Sequence, residues 1–435
     1  MSEELLELTT GPVAHGGHVV ARVGDVPDGR VVFVRHALPG ERVLARLTDA
    51  PEGASFWRAE AVEVLAASPD RVEPPCPHAR PGGCGGCDLQ HASLPAQRRL
   101  KAQVVTEQLV RLGGVDPETL PGGPLQVQAL PEPGRAPGQE TGLGWRTRVR
   151  YAVDAQGRTG FHRHRSHAVL PVERCPLVTD AVDATGVTRL PWPGVASVSV
   201  STGDDGAVVR AEQGPRRGRL PRVDALGLVG GPAGRPARVA GRTWVRHDVP
   251  GAGRLRVGVD GFWQVHPAAA ETFVSTVRRY AGAGPGDTVL DLYAGAGLFT
   301  LALADDLAGR GELVAVESDR GAVSDLRRNV HDRATVRVVA DRVERALRSP
   351  EVPARADVVV LDPPRVGARS AVVDQVVARG PRAVVLVACD PASLGRDTAL
   401  LRDRGYGLRA LEAFDAFPMT HHVECVALYT PEAPA

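Results

Sequence analysis

In "AVVLVACDPASLGRDTALL" an unbroken apolar run stops at Cys389 and gives way to Asp390-Pro391 and a helix-compatible segment. A thiol at the carboxyl end of such a strand is core filler if it faces inward, since free cysteine is among the most buried residue types. At the lip of a cleft it is a nucleophile. Carboxylates fall in equivalent places: Asp291 in "DTVLDLYAG", Glu317 in "GELVAVESD" and Asp362 in "ADVVVLDPP" each stand at or just past the end of an apolar run. Glu424 lies in "HHVECVALY", a strand-like run that should bury a carboxylate near the same cleft, or hold half of a buried ion pair. Its neighbour Cys425 should point to the opposite face and is read as packing.

Gly295 and Gly297 of "VLDLYAGAGLFTLALA" sit in a strand-to-helix turn, where glycines let a ligand approach the backbone at a helix N-terminus. One strand later, Glu317 can accept from both hydroxyls of an adenosine ribose. The third glycine of a dinucleotide fingerprint is replaced by Thr300, so the pattern fits S-adenosylmethionine better than NAD. Asp-Pro-Pro, with φ fixed at both prolines, aims Asp362 into the same cleft. Arg365 stands where enzymes that methylate an exocyclic amine place an aromatic residue, which argues against such a target.

Cys76, Cys84 and Cys87 cluster in "CPHARPGGCGGCDLQHA", and Cys175 follows in "ERCPL". Four thiolates suit a 4Fe–4S cluster or structural zinc. Arg146, Arg148 and Arg150 alternate in "WRTRVRY" and would share one face of a strand, a surface able to track phosphates.

These residues imply three positioning units. Residues 1–68 alternate apolar and polar in short runs broken by Gly, Pro and Asp, which predicts a five-stranded OB-like barrel. Residues 69–260 predict a mixed α+β domain carrying the cysteines and contacting RNA, with a helix near 95–112 that packs on the C-terminal unit. Residues 261–435 alternate strand and helix, the pattern of a doubly wound Rossmann-like α/β sheet, whose ligands sit beyond the strands' carboxyl ends.

Bulk properties exclude more than they assign. A formal charge of +1 gives no global basic field, so any nucleic acid must be held by local patches. Lys101 is the sole lysine among 52 basic residues, a bias read as codon composition. The acidic "MSEELLELTT" is no signal peptide, and no apolar run approaches the ~18 residues of a membrane span. Six cysteines, with three clustered, do not form a secreted disulfide framework. A cytoplasmic monomer is expected.

"GFWQVHP", "DLYAGAGLFTLALA", "LDPPRVGA", "ACDPASLGRD" and "FDAFPMTHHVECVALY" together resemble the bacterial RNA uracil-5-methyltransferases. The N-terminal barrel looks like the TRAM domain of that family. The resemblance implies S-adenosylmethionine as cofactor, with Gln264, Tyr293, Glu317 and Asp362 binding it or shaping the shared cleft. It implies Cys389 as nucleophile and Glu424 as base in methylating carbon 5 of a uridine. It also favours a 4Fe–4S cluster over zinc on Cys76, Cys84, Cys87 and Cys175, although seven residues separate the first pair, more than the family's spacing. His266 replaces the family's asparagine, and Ala294 a non-catalytic cysteine. The barrel and cysteine set point to the 23S rRNA branch rather than the tRNA branch. The rival readings are a non-catalytic RNA-binding or assembly factor on this scaffold and an iron–sulfur redox protein. The redox reading leaves the strand-end carboxylates unexplained.

Overall fold

A computed structural model describes residues 5–25, 28–51, 53–214, 218–233 and 235–432. Residues 1–4 of the acidic N-terminal run lie outside the described residues. The first strands are β1 (Leu5–Ala14), β2 (His18–Arg22), β3 (Val31–Arg35), β4 (Arg42–Asp49) and β5 (Phe56–Ala66). They close into a barrel in the order β1-β2-β3-β5-β4, with β3 and β5 parallel. The alternation seen in the sequence turns Leu8, Val19, Val32, Val34, Val43 and Ala59 into the barrel core.

A helix, α1 (Leu94–Arg111), starts where Ser93 accepts a hydrogen bond from the Ala96 amide and Pro95 occupies the first turn. It packs on the C-terminal unit, as the sequence predicts, because it carries the sole lysine inward: Lys101 Nζ lies 2.5 Å from Asp415 Oδ1 and 3.0 Å from the Phe417 carbonyl. Beyond it β6 (Val127–Ala129) joins the edge of the C-terminal sheet, inside a stretch whose Pro and Gly content reads as loop.

The central region holds β7 (Arg148–Val153), β8 (Thr159–His162), β9 (Val169–Pro171), α2 (Asp180–Ala184), β10 (Val195–Gly203), β11 (Gly206–Gln213), β12 (Gly227–Gly230) and β13 (Ala237–Gly241). The strands make one sheet in the order β13-β12-β11-β10-β7-β8-β9. A hairpin, β14 (Trp244–Val249) and β15 (Gly253–Gly258), follows. Leu255 and Val257 of this hairpin join the C-terminal core.

The C-terminal unit comprises α3 (Ala269–Ala281), β16 (Thr288–Leu292), α4 (Leu298–Asp306), β17 (Glu312–Glu317), α5 (Arg320–Asn329), β18 (Val336–Ala340), α6 (Val343–Ala346), β19 (Val358–Leu361), α7 (Ser370–Val377), β20 (Ala383–Ala388), α8 (Pro391–Arg402), β21 (Tyr406–Asp415) and β22 (Glu424–Pro431). The sheet order is β18-β17-β16-β19-β20-β22-β21-β6. Every residue of β19 and β20 is buried, which is why both read as continuous apolar runs rather than alternating ones. Helices cover both faces, and strand order reverses between β16 and β19, the crevice where such sheets bind ligands. Among the described residues no helix is long and apolar enough to cross a membrane.

Candidate active site

The turn after β16 is built for a ligand at the helix that follows. Tyr293 is held at φ 65°, a conformation that strains an aromatic residue by about 1 kcal/mol or more. Gly295 N–H donates to Glu317 Oε2 at 2.9 Å, and the amides of Ser318 and Asp319 donate to Oε1 at 2.6 and 2.7 Å. Glu317 is thereby fixed at the end of β17, with three of a carboxylate's roughly four acceptor sites taken and one left, on Oε2, for a ribose hydroxyl. A side chain added at Gly295 would meet only open space, whereas one at Gly297 would strike Leu326 at 2.6 Å. Thr300 is more than an absent glycine: its hydroxyl donates to Asp291 Oδ2, orienting a fully buried carboxylate. The other oxygen, Asp291 Oδ1, is buried with no partner among the described residues.

Cys389 and Glu424 meet through strand register. Ala388 pairs with Cys425 across β20 and β22, so the next residues outward, Cys389 and Glu424, face each other. Cys425 is buried in the core on the other face, as expected for packing. Asp362, after β19, completes the group. Asp397 of α8 accepts the amides of Ala368 and Arg369 at 2.8 and 3.2 Å, and its carboxylate leaves no room for a side chain at Gly367. The Asp-Pro-Pro turn and the helix after Cys389 are thus locked to each other.

The electrostatics are those of a cleft short of positive charge. Burial, then Asp291 and Glu317, push Asp362 up to about 7. Burial and the nearby Glu317 push Asp291 to about 7 against the opposing Thr300 hydrogen bond. Glu424 is held well above the ordinary carboxylate range by burial and Asp362. Burial, with Glu424 and Asp362 adding to it, pushes the Cys389 thiol up to about 12. Arg365 opposes the shifts of both Cys389 and Glu424. An unpartnered buried carboxylate oxygen and several carboxyls kept partly neutral fit a cationic ligand, and S-adenosylmethionine carries both a sulfonium and an ammonium group.

Some functional neighbours escaped the sequence reading. Arg365 replaces an aromatic residue but also acts on the cleft: its charge favours the ionised forms of Cys389 and Glu424, and it lies 3.4 Å from His422 Nε2. Phe262, in "GFWQVHP", is 70% exposed beside the buried Gln264. Val265 of the same segment packs with Phe417 and Met419, which places the segment against the loop before Glu424. His266 is structural: it stacks on Trp145 and accepts the Ala268 amide.

Arg148 and Arg150 share a face of β7 as expected, while Arg146 precedes the strand. Arg148 turns inward to the carbonyls of Val259 and Gly261, and Arg150 pairs with Glu212 at 3.1 Å. Arg146 has a buried Nε with no partner among the described residues and acts electrostatically on Cys84, Cys87 and Cys175.

Cys76, Cys84, Cys87 and Cys175 are all half-buried. They sense one another: Cys76 acts on Cys84 and Cys175, and Cys84 and Cys175 act on Cys87. Among the described residues no three His, Cys, Asp or Glu side chains gather closely enough to hold one metal ion. Zinc on thiolates at ~2.3 Å needs sulfurs nearly in contact. An iron–sulfur cluster gives each cysteine its own iron and so suits a wider spacing. The buried, unpartnered Arg146 Nε beside the thiols fits an anionic occupant. A recess of about 970 Å³ between α1 and residues 117–127 is lined by none of these candidate residues.

A family model described as tRNA (Uracil-5-)-methyltransferase matches residues 255–431. The chain is 48% identical to an uncharacterized RNA methyltransferase of Streptomyces avermitilis, covering 100% of this chain and 99% of the relative. It is 34% identical to the 23S rRNA (uracil(1939)-C(5))-methyltransferase RlmD of Alkalilimnicola ehrlichii, over 100% of this chain and 98% of the relative. Its fold matches the tRNA (uracil-54, C5)-methyltransferase of Pyrococcus abyssi, solved with S-adenosyl-L-homocysteine, at a TM-score of 0.69 and 20% identity, covering 97% and 99% of the chains.

Proposed function

The chain belongs to the RNA uracil-5-methyltransferase family, and we propose that it methylates a uridine of ribosomal RNA through a covalent adduct on Cys389. The observation that carries this reading is the facing pair of Cys389 and Glu424 at the carboxyl edge of the sheet, beside Asp362 and the Asp291–Glu317 turn.

S-adenosylmethionine, when bound, supplies an electrophilic methyl group on a sulfonium cation. Glu317, Asp291 and the Gly295–Gly297 turn hold its nucleoside and charged ends, with Gln264, Tyr293 and Asp362 shaping the shared cleft. Carbon 5 of uracil is too weak a nucleophile to take the methyl group unaided. Cys389 adds to carbon 6, its thiol proton passing to water as the sulfur–carbon bond forms, and electron density moves to carbon 5. Carbon 5 then takes the methyl group, whose bond to the sulfonium sulfur breaks to leave a neutral thioether. Glu424 removes the carbon 5 proton, and the sulfur–carbon bond breaks to restore the double bond and free Cys389. The thiol's raised pKa means that it waits protonated, so positive charge in the cleft is what favours its ionisation. The target base must leave its stack to reach the strand ends, and the exposed ring of Phe262 offers it a face.

The N-terminal barrel acts as a TRAM-like RNA-binding module. Cys76, Cys84, Cys87 and Cys175 hold a 4Fe–4S cluster that ties the segments around them together and takes no part in methyl transfer. Every catalytic group comes from one chain, so a monomer in the cytoplasm suffices. Ribosomal RNA is favoured over tRNA by the full-length match to the 23S rRNA enzyme. Mass-spectrometric mapping of 5-methyluridine in rRNA and tRNA from a deletion strain tests the reading. Loss of one 5-methyluridine from 23S rRNA is expected; loss from tRNA alone moves the target to tRNA, and no loss from either overturns the proposal.

A further inference from the structure

The N-terminal barrel touches the catalytic centre directly. The β1–β2 hairpin turns at His15-Gly16-Gly17, with both glycines at positive φ. His15 Nε2 lies 3.0 Å from Asp390 Oδ2, on the residue that follows Cys389. The other oxygen of Asp390 caps α8 by accepting the Ser393 amide at 2.8 Å, so this one carboxylate joins hairpin, nucleophile and helix. On the hairpin's other side Gly17 is pressed against the loop that leads to Glu424. A Cβ there would stand 2.9 Å from both Asp88 Cβ and His421 Cβ.

Asp88 carries the contact onward. Its amide and that of Leu89 donate to the Met419 carbonyl at 3.1 and 3.0 Å, and its carboxylate meets His421 Nδ1 at 2.6 Å and the barrel's Arg35 at 3.2 Å. Arg35 is itself buried against Glu60 of the barrel. The hairpin is therefore wedged between the residue after the nucleophile and the loop before the base.

We propose that this hairpin is a positioning element of the methyl-transfer site, with His15 setting the orientation of Cys389 through Asp390. The barrel then has a second task besides any contact with RNA: it fixes the distance between Cys389 and Glu424. The partner of His15 is the Asp390 carboxylate, so it acts through Asp390. The inference rests on the covalent uracil-5-methylation reading.

The test uses the full-length protein and RNA containing 5-fluorouridine, and measures the rate of covalent adduct formation alongside tritium release from uridine-labelled RNA. His15→Ala should slow adduct formation about tenfold, inside the ~100-fold that a displacement of about 1 Å can cost a reacting pair. The KM for RNA and the affinity for S-adenosylmethionine should stay within about twofold. His15→Gln, whose amide can reach Asp390 from nearly the same place, should recover most of the rate. Gly17→Ala, with His15 intact, should show the same slowing because its methyl group displaces the hairpin. An unchanged adduct rate in His15→Ala, or a rise in the KM for RNA with kcat unchanged, overturns the proposal. Failure of His15→Gln to recover any rate also counts against it. Wild-type protein that releases no tritium and forms no adduct defeats the underlying reading instead, so the two failures are separable.

Discussion

At the scale of single residues, the cleft is a set of groups held away from their ordinary ionisation. Glu424 is buried and faces Cys389, so its loss should block proton removal more than attack. Glu424→Gln is expected to accumulate a covalent protein–RNA complex on ordinary uridine RNA, with release slowed at least ~100-fold, the usual worth of a positioned base. Denaturing gels of timed reactions check this, and rapid turnover without a trapped complex contradicts it. Asp291 and Asp362 are both pushed up to about 7, above all by burial. A bound cation favours their ionised forms, so affinity for S-adenosylmethionine should rise with pH below pH 7, by up to about tenfold per unit for each carboxyl, and level off above it. Stability runs the other way. A carboxyl whose folded pKa is raised contributes stability that is full below its unfolded pKa and is lost as pH rises through 7. The Tm of the ligand-free protein should therefore fall between about pH 5 and 7 more than that of the protein with cofactor and level off above pH 7, as calorimetry at several pH values would show.

At the scale of elements, motifs that read as separate signals prove to be joints. Asp397 in "ACDPASLGRD" holds the backbone after Asp-Pro-Pro, and Thr300 in the glycine turn holds Asp291. The strands were legible because their periodicity changes from alternating in the barrel to wholly apolar in β19 and β20. β6 was not, since three residues of edge strand in a Pro- and Gly-rich stretch carry no periodicity and form only because β21 offers a free edge. Asp291, Glu317, Asp362 and Cys389 stand out by their places at or just past the ends of apolar runs, whereas Glu424 lies inside a strand-like run and the roles of Cys389 and Glu424 come from the family resemblance. Arg365, His15 and Asp88 do not stand out, because their roles depend on contacts between distant segments. Lys101 is the sharpest case: dismissed as compositional, it anchors α1 through a fully buried pair with Asp415. Lys101→Met leaves Asp415 buried and unpaired, and should destabilise the protein by about 3–5 kcal/mol. Urea unfolding measures this; a loss below about 1 kcal/mol would mean that the pair is dispensable.

At the scale of the whole molecule, the barrel hairpin, the cysteine-bearing segment and the edge of the C-terminal sheet meet around Asp390 and His421. Asp88, directly after Cys87, is what connects the cysteine segment to the loop before Glu424. Protein isolated without oxygen should contain about four irons per chain, and Cys175→Ser should lose the cluster's visible absorption and lower the Tm. Iron-free protein with one zinc per chain would contradict the cluster assignment. The central claim, that Cys389 attacks carbon 6 of a uridine while carbon 5 takes the methyl group, has a more direct test. Wild-type protein is incubated with S-adenosylmethionine and its RNA carrying 5-fluorouridine, and the trapped complex is digested and sequenced by mass spectrometry. A methylated fluorouridine linked to Cys389 is expected, with no linkage or methylation in Cys389→Ala; a linkage at another residue, or methylation of RNA by Cys389→Ala, would rule out Cys389 as the nucleophile.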